Sequence, residues 1–152
     1  MAIRALETSP FERVAYRRIL VPVASDDDSE LGVELAAELA PDGRATITAV
    51  VVIVVDPELP LDAHMERDEA EARRVLDKAH AIADRRAVRL RERIVRARSR
   101  GEAIVAEAEA ANADLVVVRS PARERSPLFG KTVDYVLRHA RCRVLVTTPP
   151  RR

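Results

Sequence analysis

Gly130-Lys131-Thr132 stands at the start of a predicted helix, with Arg119, Ser120, Arg123 and Arg125 shortly before it. A glycine, a cation and a hydroxyl at a helix start are suited to holding an anion. Backbone N–H groups, the helix dipole and basic side chains all favour negative charge there. The plainer reading is that Gly130 turns the chain while the arginines are solvated. A nucleoside-triphosphate phosphate loop would need a glycine five positions before Gly130, and Arg125 stands there. Asp26, Asp27 and Asp28, with Asp56 after an apolar run, offer the carboxylates of a magnesium pocket. No lysine follows the last apolar run, which ends Thr147-Thr148-Pro149, so helix capping explains the aspartates better. His64, His80 and His139 lack metal-ligand spacing and pair with no nucleophile. Neither a catalytic group nor a metal is expected.

Composition narrows the classes further. The chain has 152 residues, one domain's worth; 47% are apolar and 34% charged, which excludes a disordered tail. Aromatic residues are 3%, too few for base-stacking platforms, and a net charge of +1 gives no pull toward nucleic acid. Lysine occurs only at Lys78 and Lys131, the rest of the 26 basic residues being arginine. Eight of these arginines lie between Arg85 and Arg100, a basic stretch relieved only by Glu92. Protective charge on an edge strand accounts for it better than an acidic partner. Cys142 is the single cysteine, so no internal disulfide forms, and it reads as a core residue. The start of the chain has no signal-like apolar stretch. The greasiest run, Ala45–Val55, is well short of the ~20 residues of a membrane-spanning helix. A soluble, cytoplasmic domain is expected.

The elements that position these residues follow from periodicity. Ile19–Val23 reads as a buried strand whose Pro22 implies that one backbone donor is not needed. A helix follows, with Leu31, Leu35 and Leu39 repeating along it, and it stops at Pro41-Asp42-Gly43. Ala45–Val55 is a strand covered on both faces. A helix runs from about Asp62 to Arg86, with Glu71 and Arg74 as an i,i+3 pair. Val88, Leu90 and Ile94 alternate with arginines, as on an edge strand. Glu102–Ala111 reads as a helix with Asn112 as its left-handed cap, and Leu115–Val118 as a short buried strand. The loop Ser120–Phe129 then leads to the helix after Gly130, and Arg143–Thr148 is the last strand. Strands alternating with helices predict an α/β fold, an open doubly wound parallel sheet of five strands with helices on both faces. Strands one, two and four are apolar throughout, hence central, and strand three is an edge. Order 3-2-1-4-5 satisfies this and puts the topological switch between strands one and four. The loops Ala24–Ser29 and Arg119–Lys131 flank it.

Three phrases carry a resemblance: Arg18–Val23 (RILVPV), Ala113–Val118 (ADLVVV) and Val136–Val146 (VLRHARCRVLV). In this order they resemble the universal stress protein domain, from about Tyr16 to Thr148. The domain would occupy residues 16–150, after an extension or linker over residues 1–15. The resemblance implies the same five-stranded fold, of the adenine nucleotide alpha hydrolase-like kind, a homodimer and a role in stress response. It also implies two nucleotide-contacting places in the ATP-binding branch. One is an Asp just after strand one, where Ala24 stands after Val23. The other is a Gly-x2-Gly-x9-Gly-Ser/Thr loop after strand four. There this chain reads Arg119, Ser120, Pro121, Ala122 and then Gly130-Lys131-Thr132, with a spacer two residues shorter. Arg119 adds bulk where backbone should approach a phosphate, and Pro121 restricts Ser120.

The expected function is a non-catalytic regulatory or interaction module that does not bind ATP in the family's usual pose and needs no cofactor. The alternative is a sensor of ATP, another nucleotide or a simple anion. Its candidate contacts are Pro22, Ala24, Ser25, Arg119, Ser120, Gly130, Lys131 and Thr132. The dimer edge is expected along Arg143, Val144, Leu145, Val146 and Thr147. Domains of this family also occur as cytoplasmic tails of membrane transporters, and Thr8–Arg17 reads as a connector. A transporter is therefore a further expected partner.

Overall fold

The computed structural model describes residues 15–25, 29–40, 43–120 and 130–148. Asp26–Asp28, Pro41, Asp42 and Pro121–Phe129 lie outside the described residues, as does most of the proposed connector. The elements are β1 (Arg18–Pro22), α1 (Ser29–Leu39), β2 (Thr46–Val54), α2 (Glu66–Arg85) and β3 (Arg89–Ala97). They continue with α3 (Arg100–Ala110), β4 (Leu115–Arg119), α4 (Lys131–His139) and β5 (Arg143–Thr147). All pairings are parallel and the order is β3-β2-β1-β4-β5, as the apolar continuity of the strands requires.

Alternate residues of each inner strand point to opposite faces. Ile19, Val21, Ile47, Ala49, Val51 and Ile53 join Val33 and Ala36 of α1 and Ala72, Leu76 and Ala79 of α2 in one buried cluster. Leu20, Val50, Val52, Val116 and Val118 join Ala103, Ile104 and Ala108 of α3 and Val133 and Val136 of α4 in the other. Helices α1 and α2 thus cover one face and α3 and α4 the other. Each fully buried Val, Leu or Ile contributes roughly 1.5–3 kcal/mol.

Three local details differ from the sequence reading. Leu31 is 58% exposed, while Val33, Ala36 and Ala37 form the buried stripe of α1. A row of every fourth residue drifts by about 40° per step around a helix. Leu35 and Leu39 still pack against the core, and Leu31 has rotated away. Helix α2 begins at Glu66, not near Asp62, because two turns intervene. Leu59 N–H donates to Asp56 O and Ala63 N–H to Pro60 O. The Arg98 guanidinium donates to the carbonyls of Val55, Asp56 and Leu59, tying this loop down. Helix α3 starts two residues early because Ser99 caps it, accepting the Glu102 N–H at 3.4 Å. At Gly101 a Cβ would fall 2.8 Å from Tyr135 Cβ, so only glycine lets α3 and α4 approach this closely.

Half of the basic stretch is neutralised by carboxylates from neighbouring helices. Arg85 meets Glu34, Arg86 meets Glu38, Arg96 meets Glu69, and Arg93 forms a two-pronged pair with Glu107 at 3.0 and 3.1 Å. The hydrogen bond to Glu107 and its charge, working against slight burial, raise the Arg93 pKa further. Glu92 is itself shared by His80 and Arg73. The expected Glu71–Arg74 pair is present at 3.0 Å.

Helices α2 and α3 close with the same pair of hydrogen bonds. Val88 N–H reaches Ala83 O and Ala87 N–H reaches Asp84 O; Ala113 reaches Ala108 and Asn112 reaches Glu109. The residue between must adopt positive φ. Asn112 does so at 48°, as its sequence position suggests, and Ala87 at 53°. An alanine in the left-handed region costs roughly 1–2 kcal/mol. Ala87 is exposed, so removing its methyl loses no packing. The A87G variant should therefore be more stable by about 0.5–1 kcal/mol, after glycine's greater unfolded-state entropy is subtracted. A urea titration should show a higher midpoint at unchanged slope.

Candidate functional site

Strands β1 and β4 stay in register over only two residue pairs, Ile19–Leu115 and Leu20–Val116, and then part. Peptide groups along a parallel strand face its two neighbours alternately. Arg17 O accepts from Thr46 and Val23 N–H donates to Val50 O, so odd residues of β1 face β2. Arg18 O accepts from Asp114, so even residues face β4. Pro22, which has no N–H, therefore turns that gap toward β4 where pairing has already ended. The donor its sequence position implied to be dispensable is indeed not needed.

At this parting, across the carboxyl ends of the strands, lies an open groove of about 910 Å³. Its floor is apolar, made by Val21, Val23, Val50–Val54, Val117 and Val118. Pro22, Ala24, Ser25, Arg119, Gly130, Lys131 and Thr132 all line it, so the structure gathers seven of the eight candidate contacts. Ser120 is the exception. It is only 6% exposed, and its N–H donates to Thr147 O at 2.8 Å, extending the β4–β5 ladder by one step.

Gly130 has φ 90°, a conformation that favours glycine, and it is the N-cap of α4 with no side-chain hydrogen bond to the first turn. Its carbonyl accepts the Asp134 N–H at 3.0 Å. The first-turn N–H groups of α4 thus have no described side chain capping them, next to Lys131 and Thr132 at the groove. Sequence reasoning missed Asp68 and Glu71 of α2 and Arg100 of α3, which also line the groove. On the page of the sequence they look like solvated helix charges and the tail of the basic stretch. Only the packing of α2 and α3 on opposite faces turns them inward to the same opening. A smaller pocket of about 40 Å³ adjoins it between α1 and α2, with Glu30, Glu71, Arg74 and Lys78 around it.

The remaining candidates lie elsewhere. Asp56 Oδ1 accepts the Glu58 N–H at 2.9 Å, closing its own turn. His80 bonds Glu92 at 3.1 Å beside β3, and His139 stacks on Tyr135 at the end of α4. No histidine or cysteine is among the groove residues. In β5, Val144 and Val146 pack against one cluster and Leu145 against the other, leaving the strand's far edge outermost in the sheet.

The universal stress protein family model matches residues 15–148. The chain is similar to a universal stress family protein from Burkholderia pseudomallei, at 29% identity and TM-score 0.69, over 89% of this chain and 98% of that one. It is also similar to a universal stress protein in complex with cAMP, at 24% identity and TM-score 0.66, over 88% and 98%. A third is the Archaeoglobus fulgidus universal stress protein in complex with dAMP, at 22% identity and TM-score 0.68, over 88% and 98%. The last two, below 25% identity, speak for the fold alone. No curated protein matches the sequence. No helix among the described residues is long and apolar enough to cross a membrane.

Cys142 lies just before β5, half-buried against the second cluster rather than fully inside it. Burial raises its thiol pKa, a backbone hydrogen bond opposes this, and Asp114 adds to the rise. The folded chain therefore holds the thiol proton more tightly than the unfolded chain. This contribution to stability is complete below the unfolded thiol pKa and is lost as pH rises through the folded one. Labelling with iodoacetamide at pH 8.5 should be several-fold slower in native protein than in urea. Equal rates would mean that Cys142 is not shielded.

Proposed function

We propose that this chain, which belongs to the universal stress protein family, is a regulatory module without catalytic activity that does not hold ATP in the family's usual pose. The observation that carries this reading is the side of the groove next to β4. Arg119, at the first of the two early-glycine positions, brings a long side chain to the groove lining, and Ser120 beside it has its N–H committed to Thr147 O. Ala24 offers a methyl where the resemblance implies a carboxylate.

The start of α4, which no described side chain caps, favours a second reading within the same groove, a sensor of a small anionic ligand. Backbone N–H groups at Gly130–Thr132, with Lys131 beside them, suit a single phosphate. A groove of about 910 Å³ has room for a nucleotide. Structures of two proteins of this fold are in complex with cAMP and with dAMP. Calorimetry with AMP, ATP and inorganic phosphate tests both readings. AMP should bind, ATP should bind no more tightly than AMP, and K131A should weaken AMP by about tenfold, the worth of one charge-assisted hydrogen bond. ATP binding tenfold or more tighter than AMP overturns the first reading; no binding of any of the three overturns the second.

Two copies are proposed to meet through β5. The strand is outermost, pairs only with β4, and carries Val144, Leu145 and Val146 at an edge that no described residue covers. Sedimentation at micromolar concentration should give twice the chain mass, and a monomer would dismiss this interface.

A further inference from the structure

We propose that the groove is polarised across the sheet, with Asp68 of α2 recognising the hydrogen-bond donors of a ligand and Arg100 of α3 its anionic group. The ligand class is a nucleoside monophosphate lying across the strand ends. This rests on the small-anion reading above and names the residues that would read each end.

The polarity follows from how the two helix layers meet the groove. Asp68 and Glu71 lie one turn apart on α2, and Ala72 and Val75 of the same face also line the groove. Arg100 opens α3, with Ile104 one turn on lining the groove as well. Lys131 opens α4. Since α2 covers one face of the sheet and α3 and α4 the other, the carboxylates form one bank and the cations the opposite bank.

Partnering sharpens the contrast. Glu71 is paired with Arg74 at 3.0 Å, and Asp134 on the basic bank is paired with Arg138 at 3.3 Å. Asp68, Arg100 and Lys131 make no ion pair with any described residue, nor with one another across the opening. Between the banks the floor is Val50–Val54, and Val54 is 43% exposed although it belongs to an otherwise buried inner strand. An apolar surface left open between an unpaired acid and two unpaired bases matches a flat ring bearing a phosphate at one end and hydroxyl or amino donors at the other. The carboxylate accepts from the donors, and the guanidinium forks onto phosphate oxygens. Reversing the ligand would set phosphate against Asp68.

The test is calorimetry of the full chain with AMP, adenosine and inorganic phosphate, on the native protein and on R100Q and D68N. Both side chains are exposed, so the variants should fold, with thermal unfolding as the control. R100Q should weaken AMP and phosphate by about tenfold and leave adenosine unchanged. D68N should weaken AMP and adenosine by about fivefold and leave phosphate unchanged. If the native chain binds AMP and both variants bind it equally well, the polarity is wrong while the small-anion reading survives. Tighter AMP binding by D68N would also overturn it, since the acid would then face the phosphate. Failure of the native chain to bind AMP, adenosine or phosphate removes both.

Discussion

The ladder between β1 and β4 lasts for two residue pairs, and the rest of the molecule is arranged around that brevity. At the amino end the strands are held together hard. The Asp114 carboxylate accepts the N–H groups of Arg17 and Arg18 at 2.9 and 3.1 Å, and Arg18 Nε donates to Asn112 O at 2.8 Å. Toward the carboxyl end the register goes no further than Leu20 and Val116, and Pro22 has no N–H to point into the gap. Pinned at one end and released at the other, two neighbouring strands must diverge. The chain leaves β1 for α1 on one face of the sheet and β4 for α4 on the other, so the parting is the topological switch point. The groove is thus a product of backbone pairing, and its side chains are secondary to its existence.

Charge in this chain serves the frame before it serves the groove. An arginine-rich edge strand could have made a basic patch, yet Glu69 of α2 and Glu107 of α3 reach Arg96 and Arg93 on it, while Glu34 and Glu38 of α1 meet Arg85 and Arg86 at the end of α2. Pairs this exposed contribute at most about 1 kcal/mol each, so they set where charge lies more than how stable the fold is. Arg98 is the clearest case of a structural cation. Its guanidinium is spent on three backbone carbonyls of the loop after β2, which fixes the end of the strand that carries Val54. Asp68, Arg100 and Lys131, which make no ion pair with any described residue, share the lining of one opening.

Strand identity and order were legible in the sequence because burial on both faces removes alternation. Ala49–Val54 and Leu115–Val118 show none, while the β3 region alternates, and the order 3-2-1-4-5 satisfies that contrast. Pro22 and Asn112 were legible for a related reason: each has a backbone conformation or missing group that restricts where it can stand. Leu31 misled because identical residues at period four look like one face, although the row drifts round the helix. Ser120 misled because a loop that begins in sequence at Arg119 continues as strand in space for one more residue. Asp68 and Arg100 were invisible as a pair. They are 32 positions apart and on different helices, and nothing local tells a groove bank from a solvated surface.

Stability and recognition are separable here, and that bears on how such a groove changes its occupant. Filling the groove would mean keeping β1 and β4 paired beyond Leu20 and Val116, which would displace the buried valines of both clusters. Core rearrangements of that kind cost several kcal/mol, a large part of a domain's total stability. The positions proposed to meet a ligand are different. Ala24, Ser25, Asp68, Arg100 and Lys131 are all exposed, and exchanging exposed side chains usually changes stability by less than about 0.5 kcal/mol. A fold with these properties keeps its opening while the side chains around it change freely. The pairing of the strands therefore fixes where the groove lies, and the lining residues of this particular chain set its chemistry.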